Sequence, residues 1–242
     1  MRNVICVCPT FGRAMSHLHL LEEAVGCFAE QDYEGPKKLV IINDAPGQTL
    51  VCSVPNVEII NVPFRFKNLG DKYNHAIATT NFGPQSSGDD VILPWEDDDL
   101  ALPHRIRQAV EKLEEAGGYD YWNPQRSFFL DHRGLHTDHT HGVCHNASAF
   151  TRHGWQKVGG YPQTTGDQDA KMDRLLKQRT RYNPITLPND PTTWSYVYRW
   201  GVSPNHLSSV HPHQSYWDRL ATMNYFRGEV QIQPKKPSAF RW

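Results

Sequence analysis

The chain has 242 residues, a formal net charge of -1 with its histidines neutral, and 38% apolar and 11% aromatic residues. That length suits one large α/β domain or two small ones, and the apolar and aromatic share can supply a core, which excludes wholesale disorder. The near-zero charge argues against a globally basic nucleic-acid binder, and no apolar run approaches the ~20 residues that cross a bilayer.

Met1-Arg2-Asn3 runs straight into Val4-Ile5-Cys6-Val7-Cys8, without the layout of a signal peptide, so a cytoplasmic location is the expectation. The five cysteines are scattered and odd in number, which reads as reduced, mostly buried thiols rather than a disulfide framework. Val4 to Cys8 is a continuous apolar run and predicts a strand buried on both faces. Leu18, Leu21, Val25 and Phe28 recur at helical spacing. Leu39 to Ile42 is a second buried strand, Val57 to Val62 a third, and Gly70 to Thr80 a modest helical pattern. Val91-Ile92-Leu93 is a fourth strand. From His104 to Ala116 runs the clearest helix, with Ile106, Val110 and Leu113 on one face, Pro103 before it and Gly117-Gly118 after it. Strands alternating with helices in this way predict a doubly wound, mostly parallel sheet flanked by helices.

The second half is less regular. Tyr119 to Trp122 and Ser127 to Leu130 read as short strands, the polar, His-rich 131–140 as a loop, and Val143 to Phe150 as a strand. Thr151 to Val158 and Asp167 to Gln178 read as helices, and the tail after Pro184 as a packed irregular segment. No linker-like stretch divides the chain. The expected organisation is a core over 1–183, with a first half of about 1–103 and a second half of about 104–183. The 184–242 extension packs on the same domain.

The fourth strand delivers Glu96-Asp97-Asp98-Asp99. At an effective dielectric near 20 and ~5 Å apart, each neighbouring pair of carboxylates costs about 3 kcal/mol, and a divalent cation converts that repulsion into binding. In open α/β sheets, ligands gather at the carboxyl ends of strands. The first strand end offers Thr10 and Arg13, the second Asp44 and the fourth the acids, a set suited to a phosphate-bearing ligand. Neither a G-x-G-x-x-G nor a Walker-type loop occurs, and there is no G-x-S-x-G elbow. These absences disfavour a Rossmann dehydrogenase, a P-loop NTPase and an α/β-hydrolase.

Several stretches resemble the family 2 glycosyltransferases of the GT-A fold. Val4 to Arg13 is similar to that family's first strand and its P-T-[YF]-N-R turn. Gln31-Asp32-Tyr33 with Leu39 to Asp44 resembles its second-strand block. Leu69-Gly70-Asp71-Lys72-Tyr73-Asn74 resembles a G-x-K-x-N variant, and Trp95 to Pro103 resembles [LW]-D-x-D-D-x-x-x-P. Lys157-Val158-Gly159-Gly160-Tyr161 with Gly166-Asp167-Gln168-Asp169 resembles x-V-G-G-[FY] followed by [EG]-D-x-D. These blocks stand in the family's order from about Val4 to Leu176.

The resemblance implies an inverting, metal-dependent transfer of a sugar from a nucleotide-diphosphate sugar to a hydroxyl acceptor, whether glycan, lipid, protein or modified nucleobase. It implies that Thr10, Arg13, Asp44, Lys72, Asn74, Glu96 and Asp97 bind the nucleotide sugar, with Asp44 facing the base. Glu96 stands where the first Asp of D-x-D is usual, and Asp98 where the second stands. Asp98 and His206 are the implied ligands of Mn²⁺ or Mg²⁺, with Glu96 and His211 as further candidates. Asp99 is expected to cap the following helix. Asp167 matches the catalytic base, with Asp169 as runner-up, and Asp167 can also cap its helix. The alternatives are a sugar-nucleotide-forming nucleotidyltransferase and a non-catalytic nucleotide- or glycan-binding relative. His136, His139, His141 and His145 form a rival zinc arrangement that lacks a recognised spacing.

Overall fold

The computed structural model describes residues 1–13, 18–131, 134–138, 144–164 and 166–199, together with the short pieces 224–225 and 240–241. In chain order the strands and α-helices are β1 (Val4–Thr10), α1 (Leu18–Ala29), β2 (Lys37–Asn43), β3 (Val51–Cys52), β4 (Val57–Asn61), α2 (Leu69–Thr79), β5 (Val91–Pro94), β6 (Leu100–Ala101), α3 (Arg105–Glu114) and β7 (Tyr121–Trp122). They continue with β8 (Ser127–Asp131), β9 (Gly134–Asp138), β10 (Ala149–Thr151), α4 (Arg152–Val158), α5 (Gln168–Arg179), β11 (Tyr182–Asn183), β12 (Tyr196–Arg199), β13 (Asn224–Tyr225) and β14 (Phe240–Arg241).

The main sheet has the order β11-β7-β10-β5-β1-β2-β4. Its centre is parallel: β1 pairs with β2 (Thr10 opposite Asn43) and with β5 (Val7 opposite Pro94), and β2 pairs with β4 (Asn43 opposite Asn61). β10 runs antiparallel between β5 and β7. The period-2 alternation of β1 sorts its side chains between two cores. Cys6 and Cys8 face one side with Leu39, Ile41, Leu21, Val25 and Phe28 of α1, and Ile106, Val110 and Leu113 of α3. Ile5 and Val7 face the other side with Val40, Ile42, Tyr73 and Ile77 of α2, and Met172 and Leu176 of α5. Burial on both faces explains why these strands read as unbroken apolar runs. All five cysteines are free thiols.

The chain builds β1, β2 and β4 outward on one side, then crosses back to place β5 on the other side of β1. β1 and β5 therefore flank the point where strand order reverses, and the acid run leaves β5 at that point. A second sheet, β13-β9-β8-β12-β6, begins where the acids end. Here the structure departs from the sequence reading. The His-rich 131–140 stretch contains β9, which pairs antiparallel with β8 (Phe129 opposite His136), so it is not simply a loop. A histidine, fully buried at position 136, occupies an inward position where a hydropathy pattern looks for an apolar residue. The expected strand over Val143 to Phe150 shortens to β10, because His145–Ala147 form a 3₁₀ turn with His145 buried. Among the described residues no helix is long and apolar enough to cross a membrane.

Candidate functional site

At the end of β1, the Thr10 hydroxyl donates to Asp97 Oδ2 (2.7 Å), and Arg13 grips the same carboxylate through Nε and Nη2 (both 2.8 Å). Arg13 Nη2 also reaches Asp98 Oδ2 (2.8 Å). All four residues are buried. Planar guanidinium–carboxylate pairing of this kind fixes direction as well as charge. Burial and the acids on either side raise the pKa of Asp98 well above the carboxylate range, although Arg13 and Arg199 oppose them.

At the end of β2, Asp44 is fully buried and receives Lys72 Nζ (2.6 Å), Arg65 Nη1 (2.6 Å) and the Phe66 amide (3.0 Å). Lys72, from α2, also donates to the Thr10 carbonyl (2.5 Å), so one ammonium joins the ends of β1 and β2. Burial lowers the pKa of Lys72 despite Asp44. The Arg65 guanidinium lies 3.6 Å from the ring centre of Phe11, which is half-exposed. Arg65 and Phe11 stand over Asp44 at the open carboxyl edge. The sequence reading missed Arg65, yet a cation just beyond the third parallel strand was a usable signal.

Each remaining acid has its own setting. Glu96 accepts the Tyr73 hydroxyl, and burial, reinforced by the charge of Asp169, pushes its pKa well up. Asp99 accepts the Tyr196 hydroxyl and the Arg199 amide (2.7 Å), both on β12. The expectation that Asp99 caps the next helix is therefore corrected: α3 has His104 at its cap, with no side-chain capping bond, and Asp99 ties β12 to the acid run. Arg199 continues the tie, donating to the Asp98 carbonyl and to Glu23 Oε2 (2.5 Å).

Asp167 and Asp169 differ sharply. The Asp167 side chain is 54% exposed, pairs with Lys171 (2.7 Å) and has a lowered pKa from hydrogen bonds with Lys171 and Thr164. It holds the cap position of α5 but makes no side-chain capping bond. Asp169, the second residue of α5, is raised by burial to about 6. Its charge, with that of Glu96, acts on the buried phenols of Tyr73 and Tyr161, so the two carboxylates share one aromatic wall. Asn74 faces that wall, and its side chain bonds Tyr161 and Trp155.

The oxygen-rich, buried setting of Asp98, crowded by acids, has the donor chemistry a divalent cation prefers. Among the described residues no group of three His, Cys, Asp or Glu comes together as a cation site, so a cation at Asp98 would need ligands beyond these residues. His206 and His211 lie outside the described residues, as do His139 and His141 of the rival zinc arrangement. The ring of His145 is occupied by Tyr161 (2.9 Å) and Ser148 (3.3 Å).

The fold and site together define a GT-A-type α/β protein with a polar cluster at its topological switch point. No family model and no curated protein matches the sequence. Among solved structures, S. aureus TarS 1–349 in complex with UDP matches with a TM-score of 0.60 and 14% identity, over 84% of this chain and 61% of that one. The mannosyltransferase PcManGT from Pyrobaculum calidifontis, in complex with GDP-Man and Mn²⁺, matches with a TM-score of 0.54 and 18% identity, over 85% of this chain and 59% of that one. The chain thus spans about 60% of the length of each, and at these identities the likeness is one of fold.

Proposed function

We propose that the chain is an inverting glycosyltransferase that uses a nucleotide-diphosphate sugar. The observation that carries this reading is the convergence of Thr10, Arg13, Asp44, Lys72, Asp97 and Asp98 at the carboxyl edge of β1, β2 and β5. The neighbours support it further, one holding UDP and the other GDP-Man and Mn²⁺.

In this reading the base of the nucleotide lies over Arg65 and Phe11, which offer a donor and a stacking face, while the buried Asp44 holds Arg65 and Lys72 in place beneath it. Thr10 and Arg13 hold Asp97 and so aim Asp98. A divalent cation bound at Asp98 would supply positive charge to the departing diphosphate. We assign the base to Asp169 rather than Asp167. A base works best with a pKa near the operating pH, and Asp169 is held at about 6 while Asp167 is exposed and paired with Lys171. Asp169 takes the proton of the acceptor hydroxyl as its oxygen attacks the anomeric carbon. The bond from that carbon to the diphosphate oxygen breaks, and its electron pair leaves with the diphosphate. A single displacement inverts the anomeric centre.

The test is a thermal-shift screen of UDP, GDP and other nucleoside diphosphates with and without Mn²⁺, followed by sugar-nucleotide hydrolysis or transfer. We expect Mn²⁺-dependent stabilisation by one nucleotide and its loss, with activity, in Asp98→Ala. Full activity in that variant or in excess chelator sinks the reading.

A further inference from the structure

Asn74 belongs to the block whose resemblance implies nucleotide binding, but its side chain is committed elsewhere. Nδ2 donates to the Tyr161 carbonyl (2.8 Å). Oδ1 accepts the Tyr161 amide (2.7 Å) and the Trp155 indole N–H (3.0 Å). One side chain thus holds Tyr161 by both of its backbone groups. The approach is close: a Cβ on Gly160, whose φ is +83°, would stand 2.6 Å from Asn74 Oδ1. One turn earlier on α2, a Cβ on Gly70 would stand 1.9 Å from the Pro162 carbonyl. Both glycines are required because α2 meets the 160–162 turn without room for a Cβ, at Gly70 against the Pro162 backbone and at Gly160 against the Asn74 side chain.

What this clamp holds is the aromatic wall of the site. The Tyr161 ring stacks on Tyr73 (4.6 Å between centres, 16° between planes), and the Tyr73 hydroxyl donates to Glu96. The chain then runs from Tyr161 towards α5 and Asp169. Lys72, the neighbour of Tyr73 on α2, points instead to Asp44 and Thr10. Adjacent residues of one helix therefore serve two sides of the site.

We propose that Asn74 is a positioning residue of the reacting side: by clamping Tyr161 against Tyr73 it sets the wall beneath Glu96 and Asp169, and it does not hold the nucleotide. The inference rests on the glycosyltransferase reading. A misplacement near 1 Å can cost on the order of 100-fold in rate, so Asn74→Ala is expected to lower kcat for sugar-nucleotide hydrolysis by about 10- to 100-fold. Its affinity for UDP or GDP, whichever the wild type binds, stays within about twofold, well short of the tenfold that 1.4 kcal/mol represents. Gly160→Ala presses on the same oxygen and lowers kcat in the wild-type background. It does less further harm in the Asn74→Ala background, where that oxygen is gone.

Calorimetric nucleotide titration and hydrolysis kinetics on the four proteins test this. A drop in kcat with nucleotide affinity kept, and non-additivity between the two substitutions, supports the proposal. Loss of nucleotide affinity in Asn74→Ala, or a lowered melting temperature with kcat unchanged, overturns it. If Asn74→Ala does not fold, Trp155→Phe removes one hydrogen bond and keeps a ring; the same split between kcat and affinity is expected on a smaller scale, and unchanged kcat again overturns the proposal. A wild type that binds no nucleoside diphosphate overturns the glycosyltransferase reading itself, and is distinguished by failing before any variant is compared.

Discussion

Lys72→Met is the substitution whose cost follows most directly from the geometry. It keeps an unbranched stem in a residue that is 3% exposed and deletes the ammonium bonded to Asp44 and to the Thr10 carbonyl. Removing one member of a buried pair generally costs 3–5 kcal/mol, because the other charge stays behind. Asp44 keeps Arg65 and the Phe66 amide, so the lower end applies, about 3 kcal/mol. For a chain of this size that lowers the melting temperature by roughly 6–12 °C. The ammonium is itself costly to bury, as its lowered pKa records. Deleting both charges, in Lys72→Met with Asp44→Asn, should therefore be milder than the sum of the single changes, by about 1–3 kcal/mol. Urea unfolding of the four proteins at neutral pH measures the cycle. A single variant within about 0.5 kcal/mol of wild type, or strict additivity, refutes the claim that Lys72 and Asp44 form one buried unit.

Two further outcomes concern pH. With Asp169 as base, kcat/KM for sugar-nucleotide hydrolysis should rise with pH through an apparent pKa of about 6. Asp169→Asn should lose about 10²- to 10⁴-fold, while Asp167→Asn stays near wild type; the reverse order returns the role to Asp167. His145 is held neutral by burial, its pKa lowered from 6.5 to about 4. Below pH 6.5 the unfolded chain takes up a proton that the folded chain refuses. The contribution of His145 is thus fully present above 6.5 and lost as pH falls towards 4, by up to about 3 kcal/mol. His145→Asn should flatten the stability profile over that interval, and an unchanged slope counts against it.

The parallel centre of the sheet was legible because β1, β2 and β5 each carry a run buried on both faces and wholly apolar, Val4 to Cys8, Leu39 to Ile42 and Val91 to Leu93. The amphipathic stripe of α3 was equally plain, and the acids stood out because four charges follow an apolar strand. What escaped is what depends on distant partners. Nothing local ties Asp99 to Tyr196 and Arg199, some 100 positions on. β9 was hidden by the buried His136, and β12 lay in a tail whose Pro, Trp and Tyr content suggested irregular packing. Asp167 and Asp169 look alike in sequence. They differ because the first sits at the solvent-facing cap of α5 and the second, two residues on, turns inward beside the buried phenols of Tyr73 and Tyr161.

The acid run has a mechanical role besides its charge. It is the whole connection between β5 of one sheet and β6 of the other, five residues from Trp95 to Asp99. Trp95 is pinned to α1 through the Ala24 carbonyl (3.0 Å), and Asp99 is pinned to β12. So short a tether, held at both ends, has little slack: fully extended it spans at most about 17 Å. Any shift of the second sheet against the first would be drawn through Glu96, Asp97 and Asp98. A ligand pressing on β8 or β12 would thus change the spacing of the carboxylates without touching one of them.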